Sequence, residues 1–270
     1  MDVWLLIAVL FGVLEGVTEW LPISSTGHLI LLDRVLTLPL SAAAFELFEV
    51  VVQVGAIAAV AVTYRHRLLP FGKNKCAALS LWGKVLLATL PAAAVGFLLD
   101  DRINALHTPP VVAAALVLYG IAFLWLGKWQ KRHPSAVLYE EISLRTALLV
   151  GCFQVLSLIP GTSRSGATML GGALLGLSAS AAAEFSFFLG IPTMLGAGAL
   201  KTVGFMTDGY VLSATEGWIL AIGTLTAFLV SLVTIRFLLD FVKKHTFAPF
   251  GVYRILLGAS VLALYFFRKG

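Results

Sequence analysis

Two glutamates and a histidine lie within fourteen positions of one another in an otherwise apolar part of the chain: Glu15, Glu19 and His28. Inserting an ionisable residue at membrane depth costs at least about 2.5 kcal/mol of free energy. Three such residues close together therefore indicate a function. Glu15 and Glu19 are four residues apart and share one helical face, where carboxylates repel unless a proton or cation lies between them. The pair predicts a divalent metal site or an acid/base pair.

A helix break follows the glutamates at Pro22, because proline lacks an amide donor and clashes with the preceding turn. Ser24, Ser25 and Thr26 come next and can cap the helix that restarts, where exposed amides attract anions. His28 lies three residues after Ser25 on the same helical face, which makes it a candidate base or acid.

A second break carries an arginine at its tip. It reads Pro160-Gly161-Thr162-Ser163-Arg164-Ser165-Gly166-Ala167-Thr168. A guanidinium stays charged at any relevant pH, and its fork of donors matches phosphate oxygens. Arg164 among hydroxyls and flexible backbone therefore predicts a phosphate or pyrophosphate site.

Plainer interpretations exist for each residue. Serines and threonines at a helix break are more often caps than nucleophiles. Considered one at a time, capping is the favoured role for each of Ser24, Thr26, Thr162, Ser163 and Ser165. Glu15 could be protonated and hydrogen-bonded between helices, and His28 alone would be an interior donor. Tryptophans such as Trp20 are by default interfacial anchors.

The composition indicates that the bilayer surrounds these residues. The chain has 270 residues, of which 59% are hydrophobic and 12% charged, and its mean hydropathy is +0.96. Six apolar stretches are long enough to span a membrane as helices: 44–63, 83–99, 111–127, 182–203, 217–239 and 250–267. The net charge of +5 resides in loops, as membrane topology requires, so we expect no nucleic-acid partner.

The two broken stretches, about 3–36 and 144–177, resemble each other. Sliding one along the other by a constant offset places Gly12 on Gly151, Glu15 on Gln154 and Ser24 on Ser163. We therefore predict one all-α membrane domain over 1–270, made of two repeats. Residues 1–128 and 144–268 would each be a re-entrant hairpin followed by three spans, and an odd number of crossings inverts the second repeat.

The basic residues favour one orientation of these repeats, because short cytoplasmic loops are rich in Lys and Arg. One face holds thirteen of the nineteen: Arg65, Arg67, Lys73, Lys75, Lys84, Lys128, Lys131, Arg132, Arg145, Arg236, Lys243, Lys244 and Arg254. The other face holds Arg34, Arg102, Lys201, Arg268 and Lys269, beside Asp33, Asp100, Asp101, Asp208 and Glu216. We expect both termini outside, with the hairpin tips meeting near the midplane.

These motifs resemble a known family, the undecaprenyl-pyrophosphate phosphatases of the bacitracin-resistance type. The first signature is Glu15-Gly-Val-Thr-Glu19 with Leu21-Pro22-Ile-Ser24-Ser25-Thr26-Gly27-His28, and the second is the stretch around Arg164. Tyr253-Arg254 is a further match, and the likeness covers nearly the whole chain.

The resemblance implies hydrolysis of a C55 polyprenyl pyrophosphate to the monophosphate and inorganic phosphate at the outer leaflet of the bacterial plasma membrane. This reaction recycles the lipid carrier of peptidoglycan synthesis and confers bacitracin resistance. It also implies interlocking inverted repeats and a divalent cation, Mg²⁺ or Ca²⁺. The oligomeric state stays open, and a homodimer is one alternative.

Residue roles also follow from the resemblance. Ser25 would be the nucleophile, His28 its proton-transfer partner and Arg164 the clamp on the transferring phosphoryl group. Glu15 and Glu19 would hold the metal or steer protons. Substrate contacts would come from Ser24, Thr26, Gly161, Thr162, Ser163, Ser165 and Gly166.

The main alternative is a secondary transporter or flippase for an anion or a phosphate-bearing lipid. Inverted repeats with broken helices at the midplane are the usual architecture of transporters. A phosphate carrier could use Arg164 and the hydroxyls, but it has no clear need for Ser25 and His28 beside two glutamates.

Overall fold

A computed structural model describes residues 3–33, 35–71, 74–99, 102–103 and 105–267. The charged residues Arg34, Lys73, Asp100, Asp101, Arg268 and Lys269 lie outside this part, as does the side chain of Asp33. Throughout these ranges the regular structure is helical, without strands. This confirms the all-α fold.

The helices follow the breaks and spans expected from the sequence. They are α1 (Val3–Thr18), α2 (Ser25–Asp33), α3 (Ala42–Thr63), α4 (Arg65–Leu68), α5 (Lys75–Leu98), α6 (Pro109–Arg132), α7 (Leu144–Val155), α8 (Arg164–Leu174), α9 (Ala179–Thr207), α10 (Ala214–Lys244) and α11 (Ala248–Phe267). Short 3₁₀ turns cover Tyr139–Glu141 and Leu156–Leu158.

Six of these helices are long and apolar enough to cross a membrane, namely α3, α5, α6, α9, α10 and α11. The six predicted spans are thus confirmed, although most helices extend past the apolar stretches. Several extensions end in basic residues, such as Lys75 on α5 and Lys244 on α10, whose long side chains can reach the interface. The protein is a multi-pass membrane protein.

One basic residue that was predicted to lie in a loop is buried inside the protein. Arg254, counted above among the cytoplasmic loop charges, is fully buried within α11. The apolar sequence around it is part of a spanning helix, so the side chain points into the protein. Without Arg254, the sequence pattern assigns twelve basic residues to the predicted cytoplasmic side against five to the other side, so the predicted charge bias persists.

The helices of one half correspond to those of the other. Under the offset that places Ser24 on Ser163, the helices α1, α2, α3, α5 and α6 begin close to the starts of α7, α8, α9, α10 and α11 respectively. The short helix α4 has no such counterpart among the described helices.

The two halves also pack across each other. Helix α1 packs against α10, α7 against α5, and α6 against α11. Glycines permit this close approach: a Cβ on Gly12 would lie 2.5 Å from the Gly223 carbonyl oxygen, and one on Gly151 would collide with the backbone of Ala88. The end of α1 is buried at Thr18, whereas Leu156, just after α7, is exposed.

Candidate active site

The first loop runs from the end of α1 to the start of α2. Glu15, in the last turn of α1, and Glu19, just after α1, are buried, with 0% and 6% of their surface exposed. Ser24, just before α2, has a positive φ of 71°. A left-handed conformation costs a non-glycine residue roughly 1–2 kcal/mol. Ser25 is the first residue of α2. Both Ser25 and Thr26 are half-buried at this helix N-terminus.

The second loop repeats this geometry. Ser163 precedes α8 with the same φ of 71°, and Gly161 has a φ of 91°. Within the described ranges Ser24 and Ser163 are the only non-glycine residues with positive φ, and they occupy matching repeat positions. Strained backbone of this kind concentrates at active sites. Arg164, the first residue of α8, corresponds to Ser25.

Arg164 connects the second loop to the first. Its Nη2 donates to Glu19 Oε1 at 2.9 Å, and the two side chains are 9% and 7% exposed. Its Nη1 donates to the Ser186 carbonyl oxygen at 2.5 Å. Gly190 makes room for the guanidinium, because a Cβ there would lie 2.7 Å from Nη2. The Trp20 ring centroid lies 5.9 Å from Cζ.

Two further residues hold the loops together. Ser165 Oγ donates to the Glu19 carbonyl oxygen at 2.9 Å. Arg254 donates to three carbonyl oxygens, of Pro22 at 3.1 Å, Gly161 at 2.7 Å and Thr162 at 2.9 Å. The tips of the two broken stretches therefore meet, and their contacts place Arg164 against Glu19.

His28 has both ring nitrogens engaged. Nδ1 lies 2.7 Å from the Ser24 carbonyl oxygen, and Nε2 lies 2.6 Å from the Tyr253 hydroxyl. Because a carbonyl only accepts, Nδ1 must carry a proton. In the neutral ring Nε2 is then the acceptor, and Tyr253 donates to it. Within the described ranges the Ser25 hydroxyl makes no hydrogen bond, to His28 or to any other group.

The two acidic side chains fit a divalent cation only in part. Both carboxylate oxygens of Glu15 are buried without a hydrogen-bond partner in the described residues. The described chain has no cluster of three His, Cys, Asp or Glu residues that could hold a metal. A cation of the Mg²⁺ kind keeps waters and binds one or two carboxylates together with substrate phosphates, so it would not require a third side-chain ligand here.

The predicted hydroxyl groups have different environments. Ser163 is a cap, since its Oγ accepts from the Gly166 amide at 3.2 Å, as the plainer interpretation held. The hydroxyls of Ser24 and Thr162 are buried and, within the described ranges, have no partner. Such groups are costly in a folded protein unless something binds them.

Sequence reasoning gave no chemical role to four residues of this region, although Tyr253-Arg254 was noted as part of the family resemblance: Trp20, Ser186, Tyr253 and Arg254. The interpretation of Trp20 as an interfacial anchor is wrong, because its side chain is fully buried and its ring centroid lies 5.2 Å from that of Phe187. Arg254 carried a usable signal, an arginine within an apolar span. Tyr253 carried the family resemblance of the Tyr253-Arg254 pair, and Ser186 carried its polar type within an apolar span.

The fold and the site define a multi-pass membrane protein in which two broken helical stretches hold a buried arginine against a glutamate. A sequence model of the family described as bacitracin resistance protein BacA matches residues 8–260. The chain belongs to this family.

Similar curated proteins carry the name undecaprenyl-diphosphatase. One from Streptococcus suis (strain 05ZYH33) is 50% identical over 269 residues, covering 97% of each chain. One from Streptococcus thermophilus (strain ATCC BAA-250 / LMG 18311) is 51% identical over 265 residues, covering 96% of this chain and 92% of the relative. One from Streptococcus pyogenes serotype M3 (strain ATCC BAA-595 / MGAS315) is 48% identical over 271 residues, covering 98% and 97%.

Proposed function

We propose that this protein is an undecaprenyl-diphosphatase. It hydrolyses undecaprenyl pyrophosphate to the monophosphate and inorganic phosphate, which recycles the lipid carrier of peptidoglycan synthesis and gives bacitracin resistance. One observation carries the proposal: in a chain about half identical to proteins of that name, Arg164 and Glu19 are held together where two polar loops meet. Phosphoryl transfer needs such positioning and charge neutralisation.

Arg164 is the proposed phosphate clamp. In the described state its fork is occupied by Glu19 and the Ser186 carbonyl oxygen. An incoming phosphoryl oxygen would compete with Glu19 for Nη2, and bidentate geometry favours the phosphate. The buried hydroxyls of Ser24 and Thr162 and the amides at the starts of α2 and α8 supply further donors to its oxygens.

Ser25 is the proposed nucleophile, with His28 as its proton-transfer partner. Attack of the Ser25 oxygen on the terminal phosphorus breaks the bond between that phosphorus and the bridging oxygen, which leaves on the lipid monophosphate. Water then breaks the bond between Ser25 and phosphorus, which releases inorganic phosphate and restores the serine. The basic nitrogen of His28 faces Tyr253, so the serine proton reaches it by relay through Tyr253 or after that hydroxyl has moved away. Trapping a phosphate on Ser25 would distinguish this route from direct attack by water.

Glu15 and Glu19 are the proposed ligands of Mg²⁺ or Ca²⁺. When bound, the cation would neutralise charge on the pyrophosphate oxygens. Glu15 supports this role because both of its buried carboxylate oxygens are without a hydrogen-bond partner in the described residues. Glu19 would exchange part of its contact with Arg164 for the cation.

The proposed topology is an inverted repeat with two re-entrant hairpins in the bacterial plasma membrane. The matching helix starts of the two halves and the twelve-to-five bias of basic residues in the sequence support it. Both termini and the opening of the active site then lie outside.

Release of phosphate from undecaprenyl pyrophosphate by the purified protein in detergent tests the proposal. We expect turnover in the parent and its loss in Ser25→Ala and Arg164→Ala. The exposed Ser260 and Arg65 provide Ala controls that should keep it. Parent protein that moves the lipid across a vesicle bilayer without releasing phosphate would favour the transporter alternative.

A further inference from the structure

A groove of about 970 Å³ is bounded by α3, α5 and α9 and by the 3₁₀ turn Leu156–Leu158 that precedes the second loop. On α9 it extends from Pro192, inside the helix, to Asp208 at the helix end, or roughly 24 Å at 1.5 Å per residue. It is therefore about as long as one leaflet is thick. Ser157 and Leu158, which precede the Arg164 loop, form part of its inner wall.

Glycines line this groove without serving close packing. A Cβ built on Gly196 or Gly204 would meet nothing within 4 Å, and one on Gly96 would meet only Leu158, at 3.6 Å. Small residues in membrane helices ordinarily let two helices approach, as at Gly12. At Gly196 and Gly204 the missing side chain leaves open space instead, and at Gly96 a Cβ would make one ordinary contact.

The two ends of the groove differ in chemistry. The outer end is polar, where Lys201 Nζ donates to Glu46 Oε2 at 2.8 Å and joins α9 to α3. The inner end reaches Thr193. The next residue, Met194, places its Sδ 4.0 Å from Nη2 of Arg164. The inner end of the groove therefore lies one residue along α9 from a side chain that contacts the proposed phosphate clamp.

We infer that this groove binds the polyprenyl chain of the lipid pyrophosphate, with the chain running outward from the pyrophosphate held at Arg164. The inference rests on the proposed function. A cavity of this size encloses a drug-sized molecule, so only the first isoprene units would fit and the remainder would extend into the bilayer. The glycines and alanines of the walls leave space for the methyl branches of such a chain.

The test compares two substrates that share the pyrophosphate and differ in the chain. Phosphate release from undecaprenyl pyrophosphate and from isopentenyl pyrophosphate is measured in the parent and in Gly196→Leu. We expect kcat/KM for the long lipid to fall about tenfold, since a leucine displaces part of the chain, and kcat/KM for the short substrate to stay at the parent level. Gly83 on α5 is open but lies outside the groove, so Gly83→Leu should change neither.

Equal effects of Gly196→Leu on both substrates, or none on either, would overturn the inference while leaving the proposed function intact. A parent protein inactive on both would contradict the proposed function itself. A separate readout avoids turnover: undecaprenyl phosphate with a photoreactive chain should label Ala93 and Ala197 of the groove, and Gly196→Leu should reduce that labelling. Labelling confined to the lipid-facing surface around Leu86 would contradict a binding site for the polyprenyl chain in the groove. It would indicate instead that the lipid surrounds the protein as part of the bilayer.

Discussion

Arg254→Met should loosen the active site because Arg254 joins both loops from a position outside them. Its guanidinium donates to the carbonyl oxygens of Pro22, Gly161 and Thr162, and it is fully buried. Methionine has a similar length and no donor. The substitution therefore removes three hydrogen bonds with little loss of volume.

The expected loss of stability follows from these contacts. Three buried carbonyls left without a donor would cost roughly 1–3 kcal/mol each. Removing the buried charge offsets part of this cost, because a guanidinium without a carboxylate partner is itself expensive to bury. We expect a net destabilisation of about 3 kcal/mol.

The effect on turnover should exceed the effect on folding. A shift of the reacting groups by about 1 Å can cost a hundredfold in rate, so kcat/KM should fall at least about 100-fold in the protein that remains folded. Arg254→Lys should recover part of kcat, because an ammonium can donate to some of the same carbonyls. Thermal unfolding in detergent and phosphate release from undecaprenyl pyrophosphate measure the two effects.

Arg67→Met is the matched control. Arg67 forms a partly exposed ion pair with Glu184 at 2.9 Å and lies over the Tyr139 ring, away from both loops. The Arg67→Met substitution should lower the unfolding temperature and leave kcat/KM unchanged. Folded Arg254→Met protein with parental kcat/KM would refute the reasoning, as would an equal loss of turnover in Arg67→Met.

Three further outcomes follow from single contacts. Glu19→Gln should raise the Mg²⁺ concentration needed for half-maximal turnover by about tenfold or more, as measured by metal titration, because it removes one of two candidate carboxylate ligands. Tyr253→Phe should lower kcat about tenfold and change its pH profile, because Nε2 of His28 loses its donor. Gly151→Leu should destabilise the fold by at least about 3 kcal/mol in thermal unfolding, because its side chain would strike the backbone of Ala88.

Matched variants separate these effects from general damage. Glu216→Gln removes a carboxylate at the start of α10, distant in sequence from the loops, and should not alter the metal titration. Tyr119→Phe keeps its ring beside Arg254 and should preserve the pH profile. Gly83→Leu should be tolerated, since open space surrounds Gly83. An unchanged Mg²⁺ titration in Glu19→Gln would remove Glu19 from the metal site.

Much of the architecture could be predicted because a bilayer restricts the choices. Apolar stretches of about twenty residues must be helices there, since the lipid offers no partner for backbone polar groups. Pro22 and Pro160 marked the breaks for the same local reason, a missing donor and a steric clash. The six spans and the two broken stretches were therefore readable one segment at a time.

The contacts within the site were harder to predict. Arg164 was expected to face substrate, but its ion pair with Glu19 depends on α8 meeting the end of α1, 145 positions away in the chain. The same holds for Tyr253, whose hydroxyl meets His28 across 225 positions. Arg254 was placed in a loop because the pattern of basic residues was read without knowledge of which helix face is buried.

The sequence by itself determined the kind of environment, the number of spans and the two polar breaks, because these depend on local hydrophobicity and on the stereochemistry of proline and glycine. Only the tertiary structure decided which residues of the two breaks meet. Contacts such as Arg254 to Pro22 and Gly161 arise from packing between helices distant in the chain, and local sequence does not encode which faces come together.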